Sequence, residues 1–548
     1  MDAFFTTIVA RFSIPRWMCL ASVLLGFGSP LAAQHDPGRD ALRLIARGKQ
    51  QQAITRLETP PRRQNSPVDA AETSFVLAIA ACEMGDHHAA KKHLQTAVQE
   101  GLPSERVLAG ARKCLTALRQ DASFAQWLGS LSPTIHQRPL LHGPMLTQVT
   151  DQRAEVWLRT ETANLVRLLV KPEAHADSGQ TDVLVSAAVK TDPARDYTGV
   201  VGIDGLQPNT EYLYQLEIDH QQVTDWIPFR TFPPEGKPAA FRIAFGGGAG
   251  YTPQFHHMWQ TILRHQPVAM LMLGDNVYID DPEHVLTQRY CYYRRQSEPL
   301  WRGLVARTSL FSIYDDHDFG TDDCHGGPKI DDPPWKRTVW NVFRENWNNP
   351  AYGGGEKQPG CWYDFQIGDV HFIMLDGRYY RDPNGGSMLG PVQREWLLQT
   401  LGNSKGTFKL LVSPVPWSPG IKPGSKDPWD GFPDEREQIF SFIEQQKIDG
   451  VVLMAADRHR SDLRRIVRNN TYPLFELMSS RLTNVHTHPL MKDAKGSEFI
   501  MGYNDHCSFG RVDFDTTRSD PTLTYSIFNI DDAFIGEHTI RLSELQHP

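Results

Sequence analysis

From residue 241 onward the chain repeats one unit, a short apolar run that stops abruptly at polar residues. Residues 242–245, 269–273, 310–314, 370–375, 409–412 and 450–454 are such runs, and helical stretches such as 255–265, 391–401 and 435–446 lie between them. Runs this short and continuous read as buried strands, and their alternation with helices predicts an α/β layered sheet. In such sheets ligands gather beyond the carboxyl ends of the strands, which is where the polar clusters fall.

Three strand ends carry acid and imidazole in dense groups. Gly274-Asp275-Asn276-Val277-Tyr278 follows the run 269–273. A carboxylate leaving a buried strand is costly unless it is paired or metal-bound, which makes Asp275 a metal-ligand candidate; a helix cap or turn role explains Asp275 alone but not its companions. Asp315-Asp316-His317-Asp318 crowds three carboxylates and an imidazole into four residues. Such like charges repel unless a cation holds them, the alternative being a solvated acidic turn. His317 suits either a ligand or a general acid. In Asp457-Arg458-His459-Arg460, alternate side chains Asp457 and His459 can address two adjacent ions while Arg458 or Arg460 faces an anion. A fourth strand end adds Asp376-Gly377-Arg378-Tyr379, where Arg378 either grips phosphate with its planar fork or pairs with Asp376.

Hard oxygen ligands with few imidazoles favour calcium, magnesium, manganese or ferric iron, and no Cys/His spacing of a structural zinc site is present. Gly246-Gly247-Gly248-Ala249-Gly250 lacks the Lys of a nucleotide loop and reads as close backbone packing beside the site. Taken together, the clusters fit a two-metal hydrolase, whose ions clamp the attacking and leaving oxygens.

The rest of the chain frames this segment. Its 548 residues exceed what one core supports, so two to four domains are expected. The first 33 residues read as a cleavable signal peptide, with Arg11 and Arg16 ahead of an apolar run and small residues through Ala33. That run is shorter than the about 20 residues of a spanning helix, the rival reading being an N-terminal anchor. Export follows, with no transmembrane helix in the mature chain. Residues 36–130 read as helical, and Gly85-Asp86 between two helices resembles the turn of a tetratricopeptide repeat, a surface for protein or glycan contact. Residues 133–233 switch to a period of two and predict a β-sandwich; Leu206 to Tyr214 resembles the fibronectin type III signature, whose Tyr hydroxyl closes a corner between strands. Prolines and glycine at 233–238 mark a linker before the catalytic segment 238–548. A net charge of -8 and pI near 6.2 disfavour a nucleic-acid-binding face. Six of the 7 cysteines lie beyond residue 33, so pairing and burial as free thiols both stay open.

The catalytic segment resembles the alkaline phosphatase D (PhoD-like) branch of the metallophosphatases, on Gly274-Asp275 with Tyr278, Asp315-Asp316-His317-Asp318, Leu375-Asp376-Gly377-Arg378-Tyr379, Gln393-Arg394-Glu395-Trp396-Leu397 and Asp457-Arg458-His459. The resemblance covers roughly residues 238–540 and extends into the preceding sandwich. It implies a four-layer sandwich, two central β-sheets flanked by helices, and hydrolysis of phosphate mono- or diesters. It further implies that Asp275 bridges the metals, Tyr278 and His459 sit on iron, Asp316 and Asp457 face a neighbouring calcium, and His317 protonates the leaving alkoxide. Arg378 and Arg458 are the candidate phosphate-facing cations. The family's Cys iron ligand is replaced by Gly248, which leaves the iron position incomplete, filled by another ion such as manganese or zinc, or supplemented by Asp280 or Asp281. The His of other metallophosphatases is also missing near 413–416, as is usual in this branch. Two rival functions stand beside this one: a diesterase of the phospholipase D type acting on lipids or wall polymers, and a surface binding protein with a degenerate site.

Overall fold

Every apolar run of the catalytic segment is a strand that needs cover on both faces, and two large sheets each cover one face of the other. The structure, a computed structural model, describes residues 36–59, 70–110, 112–131, 139–175, 183–469 and 471–548; the expected signal peptide lies outside them. In the first sheet Ala240–Gly246, Ala269–Leu273 and Ser309–Ile313 run parallel. In the second, Val370–Met374, Phe408–Val412, Val451–Ala455 and Leu474–Met478 do the same. These central strands are buried almost throughout, the pattern expected of parallel strands covered on both faces. Aromatic rings fill the gap between the sheets: Phe311 stacks on Phe365 at 3.8 Å between centroids, and Phe372 meets Phe514 edge-on at 5.9 Å. The helices His257–Arg264, Gly390–Asn403 and Pro433–Gln445 coincide with the expected helical stretches.

The β segment before residue 233 is not closed off from the catalytic sheet. Leu140–Thr147 joins it through Thr147 opposite Leu310, and Arg153–Thr160 and Thr198–Asp204 extend the sheet outward. Leu165–Pro172 and Glu211–Ile218 form the centre of a separate small sheet. The linker at 233–238 therefore marks a change of composition, while the strand ladder crosses it. The reason is physical: Ser309–Ile313 offers an open edge, and pairing it with Leu140–Thr147 satisfies backbone groups that would otherwise face solvent. The Gln207 amide donates to the Tyr212 hydroxyl at 2.9 Å.

The helical segment is docked on the catalytic domain. Helices Ala70–Glu83 and His87–Gln99 form an antiparallel hairpin in which Gly85 takes φ +78° and Asp86 caps the second helix through Ala89. Ala78, Ala81, Ala90 and Ala97 are buried, the small side chains that allow close approach. Helix Pro37–Ala46 reaches furthest. Its N-cap Asp36 pairs with Arg294, Arg39 donates to the Tyr278 carbonyl at 3.0 Å and pairs with Asp280, and Arg43 donates to the Asp280 carbonyl. Cys291, Cys324, Cys361 and Cys507 are free thiols.

Candidate metal centre

Parallel pairing brings the strand ends together, and the glycine-rich turn welds the two sheets at that end. The Gly247 amide donates to the Ser479 carbonyl at 3.2 Å, Leu482 donates back to Gly247 at 3.0 Å, and Ala249 donates to the Asp275 carbonyl at 2.8 Å. A Cβ on Gly247 would lie 2.7 Å from the Ala456 Cβ, so close backbone packing accounts for this turn. Gly274, with φ +101°, lets the chain leave its strand against Asp315. Beyond it Asp275, Tyr278, Asp280, Asp457 and His459 all adopt left-handed backbone conformations. Such conformations are disfavoured for residues with side chains and concentrate at functional sites.

Asp275, Asp316 and His317 are buried and offer ligand atoms within 4.8 Å of one another. The Tyr278 hydroxyl donates to Asp275 Oδ2 at 2.9 Å and lies 3.0 Å from His459 Nε2, joining the first and third sequence clusters. Burial, then the charge of Asp316, pushes the Asp275 carboxyl well above the usual carboxylate range. Burial opposes ionisation of Asp316 too, yet His317 and Arg378 hold it below that range. Burial alone would depress His317, but Asp316, Asp280 and Asp275 raise it well above an ordinary imidazole. His317 Nδ1 is bonded to Asp280, which leaves Nε2 facing the exposed Asp322 at 3.8 Å.

Two expected roles resolve differently. Asp318 turns away from the cluster and accepts from the Asn276 and Val277 amides at 2.8 Å and 3.0 Å, tying the two acidic turns together. Burial pushes its carboxyl up to about 6 even against those hydrogen bonds. Arg378 does not pair with Asp376. Its fully buried guanidinium binds Asp315 and, at 2.7 Å, Asp427, while Nη2 stays unpartnered 3.8 Å from Asp316 Oδ1. Asp376 instead accepts the Arg378, Tyr379 and Cys361 amides. Asp457 lies beside Arg458, whose Nη1 is 3.5 Å from Asp457 Oδ2.

Sequence reasoning missed Asp427 and Lys422, which lie 3.3 Å apart, and Asn484, His486, His488 and Arg39. The first five sit on irregular loops, where no periodicity marks them. Arg39 lies more than two hundred residues from the site it touches. It carries a testable consequence: Arg39 and Asp280 are 5% and 8% exposed, so Arg39→Ala takes from a buried carboxylate one of the two cations it meets, His317 being the other. The expected destabilisation is about 1–3 kcal/mol, read from the urea midpoint. An unshifted midpoint would show that the helical segment is not held through this pair.

Residues 243–524 match a family model described as PhoD-like phosphatase, and residues 137–235 match a domain of unknown function (DUF7800). Alkaline phosphatase D of Bacillus subtilis (strain 168) is 22% identical over 365 residues, which are 57% of this chain and 61% of that protein. The match therefore spans under two thirds of that relative's length. A solved structure of PhoD superposes with a TM-score of 0.59 at 16% identity, covering 72% of this chain and 91% of that one. Purple acid phosphatase PPD1 from yellow lupin (Lupinus luteus) seeds does so with a TM-score of 0.53 at 13% identity, covering 73% and 75%. At such identities these two likenesses show a shared fold.

Proposed function

The chain belongs to the PhoD-like phosphatase family, and on that premise we propose that it hydrolyses phosphate esters with the help of metal ions held by Asp275, Tyr278, Asp316, Asp457 and His459. One observation carries this reading. Asp275 Oδ1, Asp315 Oδ2, Asp316 Oδ1, Asp457 Oδ2 and His459 Nδ1 are buried with no hydrogen-bond partner. Each such orphan costs about 1–3 kcal/mol, more when charged, and cations are the partners that suit anionic oxygens and an imidazole nitrogen together. In this reading Asp275, Tyr278 and His459 would hold one ion, and Asp275, Asp316 and Asp457 would hold its neighbour. When bound, such ions supply Lewis acidity and a water of lowered pKa.

The chain's own residues do the rest. His317, fixed through Nδ1 by Asp280, presents Nε2 to hand a proton to the leaving oxygen. Arg378 orients Asp315 and Asp316 from below, and Arg458, itself buried, faces the phosphate. Within this proposal the helical segment is a TPR-like scaffold whose first helix, Pro37–Ala46, braces the loop of Tyr278 and Asp280, and the fibronectin III-like segment is structural. No helix among the described residues is long and apolar enough to cross a membrane. Export, resting on the signal peptide, is part of the same proposal.

The purified protein is expected to hydrolyse p-nitrophenyl or bis-p-nitrophenyl phosphate, to lose that activity on chelation, and to regain it with added calcium, manganese, zinc or iron. Absence of hydrolysis under all four ions sinks the reading. The rate ratio between the two substrates assigns monoester or diester preference.

A further inference from the structure

Beside the acidic cluster lies a second group of metal-ligating side chains that the proposed function does not use in full. His459, His486 and His488 each offer one ring nitrogen, and these lie within 4.8 Å of one another. The rings contact each other, with His486 and His488 at 4.5 Å between centroids and His459 at 5.5 Å and 5.7 Å from them.

The loop that carries the two added imidazoles is a built structure. Asn484 donates to the Tyr278 hydroxyl at 2.7 Å and accepts the His486 amide at 2.9 Å, coupling the loop to the ligand tyrosine. Thr487, between the two histidines, donates to the His459 carbonyl at 3.1 Å. Arg481 clamps the carbonyls of Asn484, Val485 and Asn504 at 3.1–3.2 Å. His459 itself has Nδ1 buried and unpartnered.

Gly248 faces the same place. A Cβ there would lie 3.1 Å from His459 Cδ2, so this position addresses the His459 ring. It would also lie 2.9 Å from the Arg481 amide nitrogen, on a backbone with φ +67°. The path of the chain thus leaves no room for a thiolate-bearing side chain, while two imidazoles approach His459 from the loop.

We propose that His459, His486 and His488 form a nitrogen-rich site for one borderline divalent ion of the zinc class. Three neutral imidazoles bring no anionic charge, so they suit zinc or cobalt(II) far better than ferric iron or calcium, and three protein ligands leave a fourth position open. The ion's position rests on the functional reading of the centre, but its binding does not require hydrolysis.

The test uses the full chain, stripped with chelator and titrated with cobalt(II), with visible absorption as readout, then with zinc counted by elemental analysis. Wild type is expected to show a cobalt d–d band that zinc displaces. The double variant His486→Gln/His488→Gln should lose that band, hold one zinc equivalent fewer, and bind the remaining cobalt at this site more than ~10-fold more weakly, since even outer-shell partners are worth ~10–100-fold. The single variants, at half-buried positions, should each show part of the loss and guard against misfolding of the double. An unchanged band and stoichiometry in all three variants overturns the inference, as does a ferric-tyrosinate absorption in the protein as isolated. If the histidine-dependent band is present but no ester is hydrolysed, the functional reading fails and this site stands. If hydrolysis persists with metal binding unchanged in the variants, the reverse holds.

Discussion

Asp275→Asn is expected to reduce hydrolysis by more than ~100-fold while the protein stays folded, because loss of a mere outer-shell partner already costs ~10–100-fold in metal affinity or activity and Asp275 is a direct ligand in this reading. The substitution is nearly isosteric. It removes charge from a carboxylate that is 3% exposed, accepts from Tyr278, and keeps Oδ1 without any partner. Burial and Asp316 disfavour its ionised form in the absence of a cation, so an amide relieves repulsion in the apoprotein. Thermal unfolding of the metal-stripped variant should therefore match or exceed that of stripped wild type, while elemental analysis shows less bound metal. Turnover near the wild-type rate would refute the bridging role.

The second large effect is expected at His317. Its Nδ1 is held by Asp280, which is itself held by Arg39, so Nε2 is the nitrogen available to the leaving oxygen. His317→Gln keeps a polar side chain of similar reach but removes the acid, and kcat for an alkyl phosphate should fall about 10²–10⁴-fold, the usual worth of general acid catalysis. The leaving group provides the discriminating readout. p-Nitrophenolate departs without a proton, so hydrolysis of p-nitrophenyl phosphate should fall much less than that of an alkyl ester. An equal loss on both, together with lost metal, would mean that His317 acts as a ligand and not as the acid.

Much of this centre was legible in the chain because its chemistry is local. A strand that ends in Gly274-Asp275 or Asp315-Asp316-His317 declares itself through an abrupt change from apolar to charged residues, and the energetic cost of burying such charges points to metal without any coordinates. The parallel strands were legible for the same reason, since burial on both faces makes them continuous apolar runs. The outer antiparallel strands Ser508–Asp515, Thr522–Asn529 and Phe534–Arg541 were not singled out, because each mixes polar and apolar residues at its exposed positions.

What the sequence determined by itself, then, was the layered fold, the three acidic and histidine-bearing turns, and the absence of a thiol at Gly248. The tertiary structure alone decided three things. It continued the sheet across the linker to Leu140–Thr147, it directed Arg378 to Asp315 and Asp427 and not to Asp376, and it carried Arg39, His486 and His488 to the centre. These are partnerships between residues far apart in the chain, or on loops without period. Short-range patterning cannot specify which distant charge a buried arginine meets, because that choice is made by how the sheets and the helical segment pack.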